Sequence, residues 1–303
     1  MNAPDGSKSS RSWAVAAVLA GACIIGTVPN LVRLTETGPA AAGFWRMLLA
    51  LPLLTPFLWR KSDRPTPSTA LPDWSLIGAG LFFAGDLAFW HYGIGFTSVA
   101  NATVLANLTP IVVTLVGWLL YREKPAGLFL LGLALGMGGA WTLAEARSGG
   151  HAPGSNPPLG DLLSAITALW YAGYFITVRK AREQRGVVAV MFWSSAVSAL
   201  ALGVVMLVLR ESILPASAAG WWACLGLAVA HVTGQGAIAW ALGRLPTATA
   251  SVVVLIQPAS AALIAWRLFG ETVTPLQGLG AVAVLAGVAL AQWAAARQAP
   301  KAQ

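Results

Sequence analysis

Apolar residues run along this chain in long blocks, broken by short polar or Pro/Gly-bearing stretches. Blocks of roughly 20 apolar residues match the length of helix that spans a bilayer core. Ten such blocks are predicted, at about 12–32, 38–59, 74–96, 100–121, 126–144, 159–178, 187–209, 219–242, 247–268 and 275–296. The pattern repeats: residues 95–142, shifted by 148 without a gap, fall on 243–290 with thirteen identities in 48 positions. Pro110 lands on Pro258, Trp118 on Trp266, Glu123 on Glu271, Gly132 on Gly280 and Gly139 on Gly287. Extending the shift upstream pairs Phe44-Trp45 with Phe192-Trp193, so it covers whole halves.

Five spans per half is an odd number, so the second half enters the membrane from the opposite side. The expected fold is therefore an all-α integral membrane protein, ten transmembrane helices in two inverted five-helix repeats. The predicted divisions are a cytoplasmic tail (1–11), repeat 1 (12–145), an external linker (146–158), repeat 2 (159–296) and a second cytoplasmic tail (297–303). The linker region is rich in Gly, Pro and Ser. Inverted repeats can exchange conformations, which turns an inward-open cavity outward around a site near the midplane.

Composition supports this picture. The 303 residues are 57% hydrophobic and 10% charged, with a mean hydropathy of +0.69. Soluble chains carry about 25% charged residues, so lipid must solvate much of this surface. The net charge of +8 does not indicate nucleic acid, because the basic residues are scattered over six segments instead of one face. With the N-terminus inside, fourteen of the nineteen Lys and Arg residues are cytoplasmic. Four are outside (Arg33, Arg147, Arg210, Arg267), and Arg46 lies within a span. That bias places both termini in the cytoplasm, and the first span reads as a retained anchor. Cys23 and Cys224 read as small buried hydrophobes, and no cofactor or metal is expected.

Charged and polar groups inside spans mark candidate function, since lipid makes them costly. Asp86 and Arg46 lie at similar depths, about 15 and about 12 Å of helix rise from the outer ends of their spans. They are expected to form an ion pair with a structural, gating or coupling role, with a proton or substrate site as the alternative. His231 and Gln235, four apart, share a face; the 148-residue shift puts them on Phe83 and Leu87. The same face of the third span continues to Trp90 and His91. Trp90, His91, His231 and Gln235 are thus expected to line one cavity, joined by Asn107 from the fourth span and by Trp170 and Tyr174 from the sixth. A Trp face suits an ammonium group; the competing role for each His is a bond to a backbone carbonyl. Pro110 frees a carbonyl near Ala106, and Pro258 makes the matching break in the ninth span. Glu123 and Glu271 read as caps for the spans that follow. Gly132, Gly136, Gly139, Gly280 and Gly287 suit close packing, with a subunit seam as one candidate. Trp13, Trp59, Trp74 and Trp293 fit an interfacial belt.

The segments ANATVLANLTPIVVTLVGWLLYREKP (100–125) and ATASVVVLIQPASAALIAWRLFGETV (248–273) resemble the drug/metabolite transporter superfamily, in its ten-helix EamA-type branch. Phe44-Trp-Arg46 resembles that family's second-helix arginine signature, and Ala168-Leu-Trp-Tyr171 its aromatic entry to a repeat. The resemblance covers nearly the whole chain. It implies a carrier of small molecules in the bacterial inner membrane, a monomer or homodimer, that exports amino acids in the manner of the aromatic amino-acid exporters. A drug or other-metabolite permease of the same superfamily is the alternative. The family's sugar-phosphate carriers have more basic cavities, and its four-helix relatives use a first-helix Glu that this chain lacks. A membrane-embedded enzyme would need clustered ligands or a nucleophile with a base. His91, His151 and His231 are too scattered to supply them.

Overall fold

A computed structural model describes residues 6–60, 65–109, 111–112, 115, 127–145, 155–242, 244, 254, 256–270 and 273–298. Among them there are helices and no named strand. We number them α1 (Gly6–Ile25), α2 (Val28–Arg33), α3 (Pro39–Leu54), α4 (Trp74–Phe96), α5 (Val99–Ala106), α6 (Gly127–Glu145), α7 (Pro157–Gln184), α8 (Val187–Val208), α9 (Ala218–Ala230), α10 (Gly236–Leu242), α11 (Ile256–Phe269) and α12 (Pro275–Gln298). A π-helical turn, His231–Gln235, joins α9 to α10. Among the described residues, five helical stretches are long and apolar enough to cross a membrane: Trp13–Arg33, Pro39–Phe57, Pro157–Gln184, Val187–Val208 and Ala218–Ala241. Pro110, Trp118, Glu123 and Glu271 lie outside the described residues, as do 146–154 of the expected linker.

Side chains start several helices by taking up N–H groups that the first turn leaves unpaired. Asp73 accepts from the Ser75 and Leu76 amides at α4, Ser98 from Asn101 at α5, and Ser217 from Gly220 at α9. The helices α3 and α8 start differently, each after an extended glycine: Gly38 (φ −63, ψ 157) and Gly186 (φ −65, ψ 159). These glycines are 148 residues apart, as are the starts of α6 and α12 at Gly127 and Pro275.

The two halves interlock. The first helix of each half packs on the third of the other: α7 on α4, and α1 on the π turn and α10. The pairs α3–α8 and α6–α12 also cross between halves. Without a hydrophobic effect between helices in lipid, close approach of backbones must supply the cohesion. At α6–α12 it does: a Cβ on Gly132 would lie 2.7 Å from Gly287 O, and one on Gly139 would lie 2.7 Å from Gly280 O. The 148-residue shift turns one contact into the other. These glycines therefore close a seam within the chain, the close packing expected of them.

Three spans are less regular than the apolar blocks suggest. The first breaks at Gly26-Thr27, where Pro29 starts α2 and the Thr27 hydroxyl donates to Ile24 O at 2.7 Å. The fourth pauses after α5, and there the Thr109 hydroxyl donates to Ala106 O at 2.8 Å. That is the carbonyl expected to be open to water, a side chain or substrate, and a side chain takes it. The eighth contains the π turn, a feature common at functional sites. Cys224 is buried as expected, but Cys23 is exposed, because α1 turns that position to the outside of the bundle. Trp13, Trp59, Trp74 and Trp293 are all exposed, as an interfacial belt requires.

Candidate functional site

The polar core is organised around one aromatic ring. Phe83 of α4 stacks on Tyr174 of α7 (4.5 Å between centroids, 24°) and on His231 of the π turn (5.5 Å, 28°). The Arg46 guanidinium of α3 lies 5.8 Å from the Phe83 centroid, in cation–π range. Tyr171 stacks on Tyr174 at 5.7 Å and accepts a 3.4 Å hydrogen bond from Gln235 Nε2. His231 Nε2 pairs with the Ser195 hydroxyl of α8 at 3.0 Å. Both halves thus contribute: α3 and α4 from the first, α7, α8 and the π turn from the second.

Asp86 follows Phe83 by three residues, on the same side of α4. The expected Arg46–Asp86 ion pair is not closed, however, whereas Arg185 and Asp73 do form one. Arg46 is 2% exposed, and its Nε and Nη1 have no hydrogen-bond partner. Tyr174 Oη, His231 Nδ1, Trp90 Nε1 and His91 Nε2 are likewise buried without partners. Arg46, Tyr174 and His231 thus bring unpartnered donors and acceptors to the Phe83 core, which is unusual, since buried polar groups are normally satisfied.

The other expected residues divide. His91 packs beside Gly43, and its Nδ1 lies 3.0 Å from Pro39 O; a carbonyl only accepts, so Nδ1 carries the proton and Nε2 is the acceptor. Its neighbour Trp90 belongs to a separate apolar cluster with α1 and α10. Trp170 lies in the α4–α7 seam, tilted against Phe82 and Phe89 and over Gly85, where a Cβ would meet its ring at 2.4 Å. Phe82, Gly85 and Phe89 lie on a different side of α4 from Phe83, Asp86 and Trp90, which turns Trp170 away from the Phe83 cluster. Asn107 caps α5 and donates to Thr103 O at 2.8 Å within its own helix. Pro258 is buried near the start of α11, beside Gln257, whose Nε2 has no partner.

Sequence reasoning singled out neither Phe83 nor Ser195 as site residues, and it left Tyr171 beside the site. A signal for Phe83 existed, because the 148-residue shift aligns it with His231. The same shift relates two contacts of opposite composition: Gly43 beside His91, and Met191 beside Ala239 in another buried cluster. Each half puts a small residue where the other puts a large one, so the space is filled in both.

Contacts at each end of the bundle hold it together. At one end, Arg185 reaches Asp73 (3.1 Å), Leu71 O (2.9 Å) and Ala70 O (3.3 Å). Burial alone pushes the Asp73 carboxyl up, but the Ser75 and Leu76 bonds and Arg185 outweigh it and hold it below the usual carboxylate value. At the other, Glu211 accepts from the Ala40 and Ala41 amides at the start of α3 (3.2 and 2.8 Å) and from the Tyr92 hydroxyl. Nearby, Asp161 accepts from Thr97 (2.7 Å) and Asn101 (3.3 Å), and Arg33 donates to Ile94 O and Thr97 O.

Comparisons with known proteins place the chain among transporters. The chain is 25% identical over 277 residues to an uncharacterized transporter of Archaeoglobus fulgidus, covering 91% of this chain and 95% of the relative. It is 30% identical over 153 residues to a probable terminal-alkyne amino-acid exporter of Streptantibioticus cattleyicolor, covering about half of each, 49% and 50%. One protein of known crystal structure superposes with a TM-score of 0.65 over 93% of this chain and 97% of its own, at 17% identity, a likeness of fold alone. The EamA-like transporter family matches twice, over residues 12–144 and 158–293. With two matched copies and a buried polar core between interlocked halves, the chain belongs to the EamA-like transporter family and is a multi-pass membrane transporter, not an enzyme.

Proposed function

We propose that this transporter exports small metabolites, foremost amino acids with aromatic or other neutral side chains, from the bacterial cytoplasm across the inner membrane. The observation that carries this reading is the partly unsatisfied core around Phe83, with Arg46, Asp86, Tyr171, Tyr174, His231 and Gln235 drawn from both halves. Aromatic faces suit a ring or an ammonium group, and the unpaired polar atoms suit a zwitterion. The exporter named for the Streptantibioticus relative supports the same substrate class.

The chain acts as ten spans in two inverted repeats with both termini cytoplasmic. The halves rock about the Phe83 cluster in alternating access. The matching glycine starts of α3 and α8, and the exchange of Gly132–Gly287 with Gly139–Gly280, support this symmetry. The breaks expected at Pro110 and Pro258 would let two spans flex, with His91 and Trp90 beside the path. Export of other metabolites is the second reading.

The test is purified protein in liposomes loaded with labelled amino acids, following efflux and counterflow. Counterflow of phenylalanine or tryptophan is expected. Movement of another metabolite with no amino acid moving would overturn the substrate assignment.

A further inference from the structure

We infer that Arg46 is the anchor for a substrate carboxylate, with Asp86 placed to receive the ammonium of the same molecule and the Phe83–Tyr174–Tyr171 stack to receive its uncharged side chain. This assignment rests on the amino-acid reading above and gives it a pose.

The argument begins with an unmatched charge. A guanidinium buried in a membrane protein is expensive unless paired, and its five N–H donors seek acceptors. Arg46 is 2% exposed, and its Nε and Nη1 are unpartnered. Its ring contact with Phe83 stabilises the positive charge but consumes no N–H. A carboxylate is the acceptor whose geometry matches the guanidinium fork, because two parallel N–H···O bonds form at once.

Asp86 supplies the complementary need. It is 6% exposed, and among the described residues it makes no hydrogen bond and no ion pair. It lies three residues along α4 from Phe83, the ring over which Arg46 sits. Two buried groups of opposite sign that share a core without pairing are both met by a ligand carrying both signs. An isolated carboxylate ligand would leave Asp86 uncompensated, and an amine would leave Arg46 so.

The repeat adds an independent observation. Under the 148-residue shift, Arg46 falls on Ser194, and Asp86 falls on Gly234, which packs tightly against α1. Neither charge is duplicated. The internal likeness that conserves packing elsewhere is broken at the two charged positions, so the charged end of a substrate is held by α3 and α4. His231, with Gln235 on the π turn, then faces the rest of the molecule across Phe83 and Tyr171.

The experiment compares four probes on the full-length wild-type protein: L-phenylalanine, phenylalaninamide, phenethylamine and 3-phenylpropionate. Binding is read by calorimetry in detergent and transport by counterflow in liposomes. Removing the carboxylate is expected to weaken binding about tenfold or more, the scale of a lost hydrogen bond to a charged group. Arg46→Gln is expected to abolish the preference for carboxylate-bearing probes, and Arg46→Lys to retain part of it. If the amino-acid reading fails but the anchor stands, 3-phenylpropionate binds in an Arg46-dependent way while phenylalanine does not move. Equal binding of phenylalanine and its amide to the wild type, a preference that survives in Arg46→Gln, or no binding of either carboxylate probe overturns the anchor. The wild-type series decides the matter even where an Arg46 variant does not fold.

Discussion

Phe83 and His231 are 148 residues apart in sequence and stack at 5.5 Å. The 148-residue shift that aligns the two halves of the sequence sets one on the other, and they meet in the polar core. Phe83 also touches Tyr174 and Arg46, so it connects three helices and the π turn.

Phe83→Ala is therefore expected to lower stability by about 3 kcal/mol, the usual cost of deleting a buried phenyl ring. Phe83→Leu, which keeps most of the volume, should cost less. Thermal unfolding in detergent checks both, and counterflow should fall in both variants because the aromatic stack is broken. Unchanged unfolding for Phe83→Ala would remove the ring from its central role.

The α6–α12 seam yields a sharper contrast. A Cβ on Gly287 would sit 2.4 Å from Gly136 N, whereas one on Gly278 of the same helix meets nothing within 4 Å. Gly287→Val should therefore abolish monodisperse protein on size exclusion, and Gly278→Val should not. The reason is that backbone, unlike a side chain, cannot move aside.

The Arg185–Asp73 contact predicts a definite pH dependence. The Asp73 carboxyl is held below its usual value, so its contribution is present above the unfolded-state value of about 4 and is lost as the pH falls through the lower folded value. The stability difference between wild type and Asp73→Asn should stay constant from neutral pH to about pH 5 and shrink only in stronger acid. Because Asp73 is 45% exposed, that difference should stay within about 1 kcal/mol. Arg185→Ala should cost more, about 2 kcal/mol, because it also strips the Ala70 and Leu71 carbonyls of a donor.

Orientation can be read by cysteine labelling in a Cys23→Ala, Cys224→Ala background. Arg60→Cys should react with an impermeant reagent only after the membrane is opened, and Ser155→Cys should react in intact cells. The reverse pattern would place the termini outside and export would have to be reassigned.

Much of the fold was legible because lipid imposes it. Backbone groups in hydrocarbon must bond internally, so long apolar blocks become helices whatever their neighbours. The internal echo likewise announced two related halves, and the costly polar residues Arg46, Asp86, His231 and Gln235 announced the core. Trp170 and Asn107 show the limit of that reasoning. Helical spacing gives a residue's angle on its own helix but not which partner lies there, so Trp170 went to the Phe82–Phe89 side of α4 and Asn107 to its own backbone.

From the sequence alone came the apolar blocks, the 148-residue repeat and the identity of the buried charges, since each is a property of composition or period along the chain. Only the tertiary structure decided that Phe83 would be the hub, that Arg46 and Asp86 would share a core without closing an ion pair, and that the glycines would seal α6 to α12. Those outcomes depend on which helix faces which, and that is settled by packing among residues far apart in the chain.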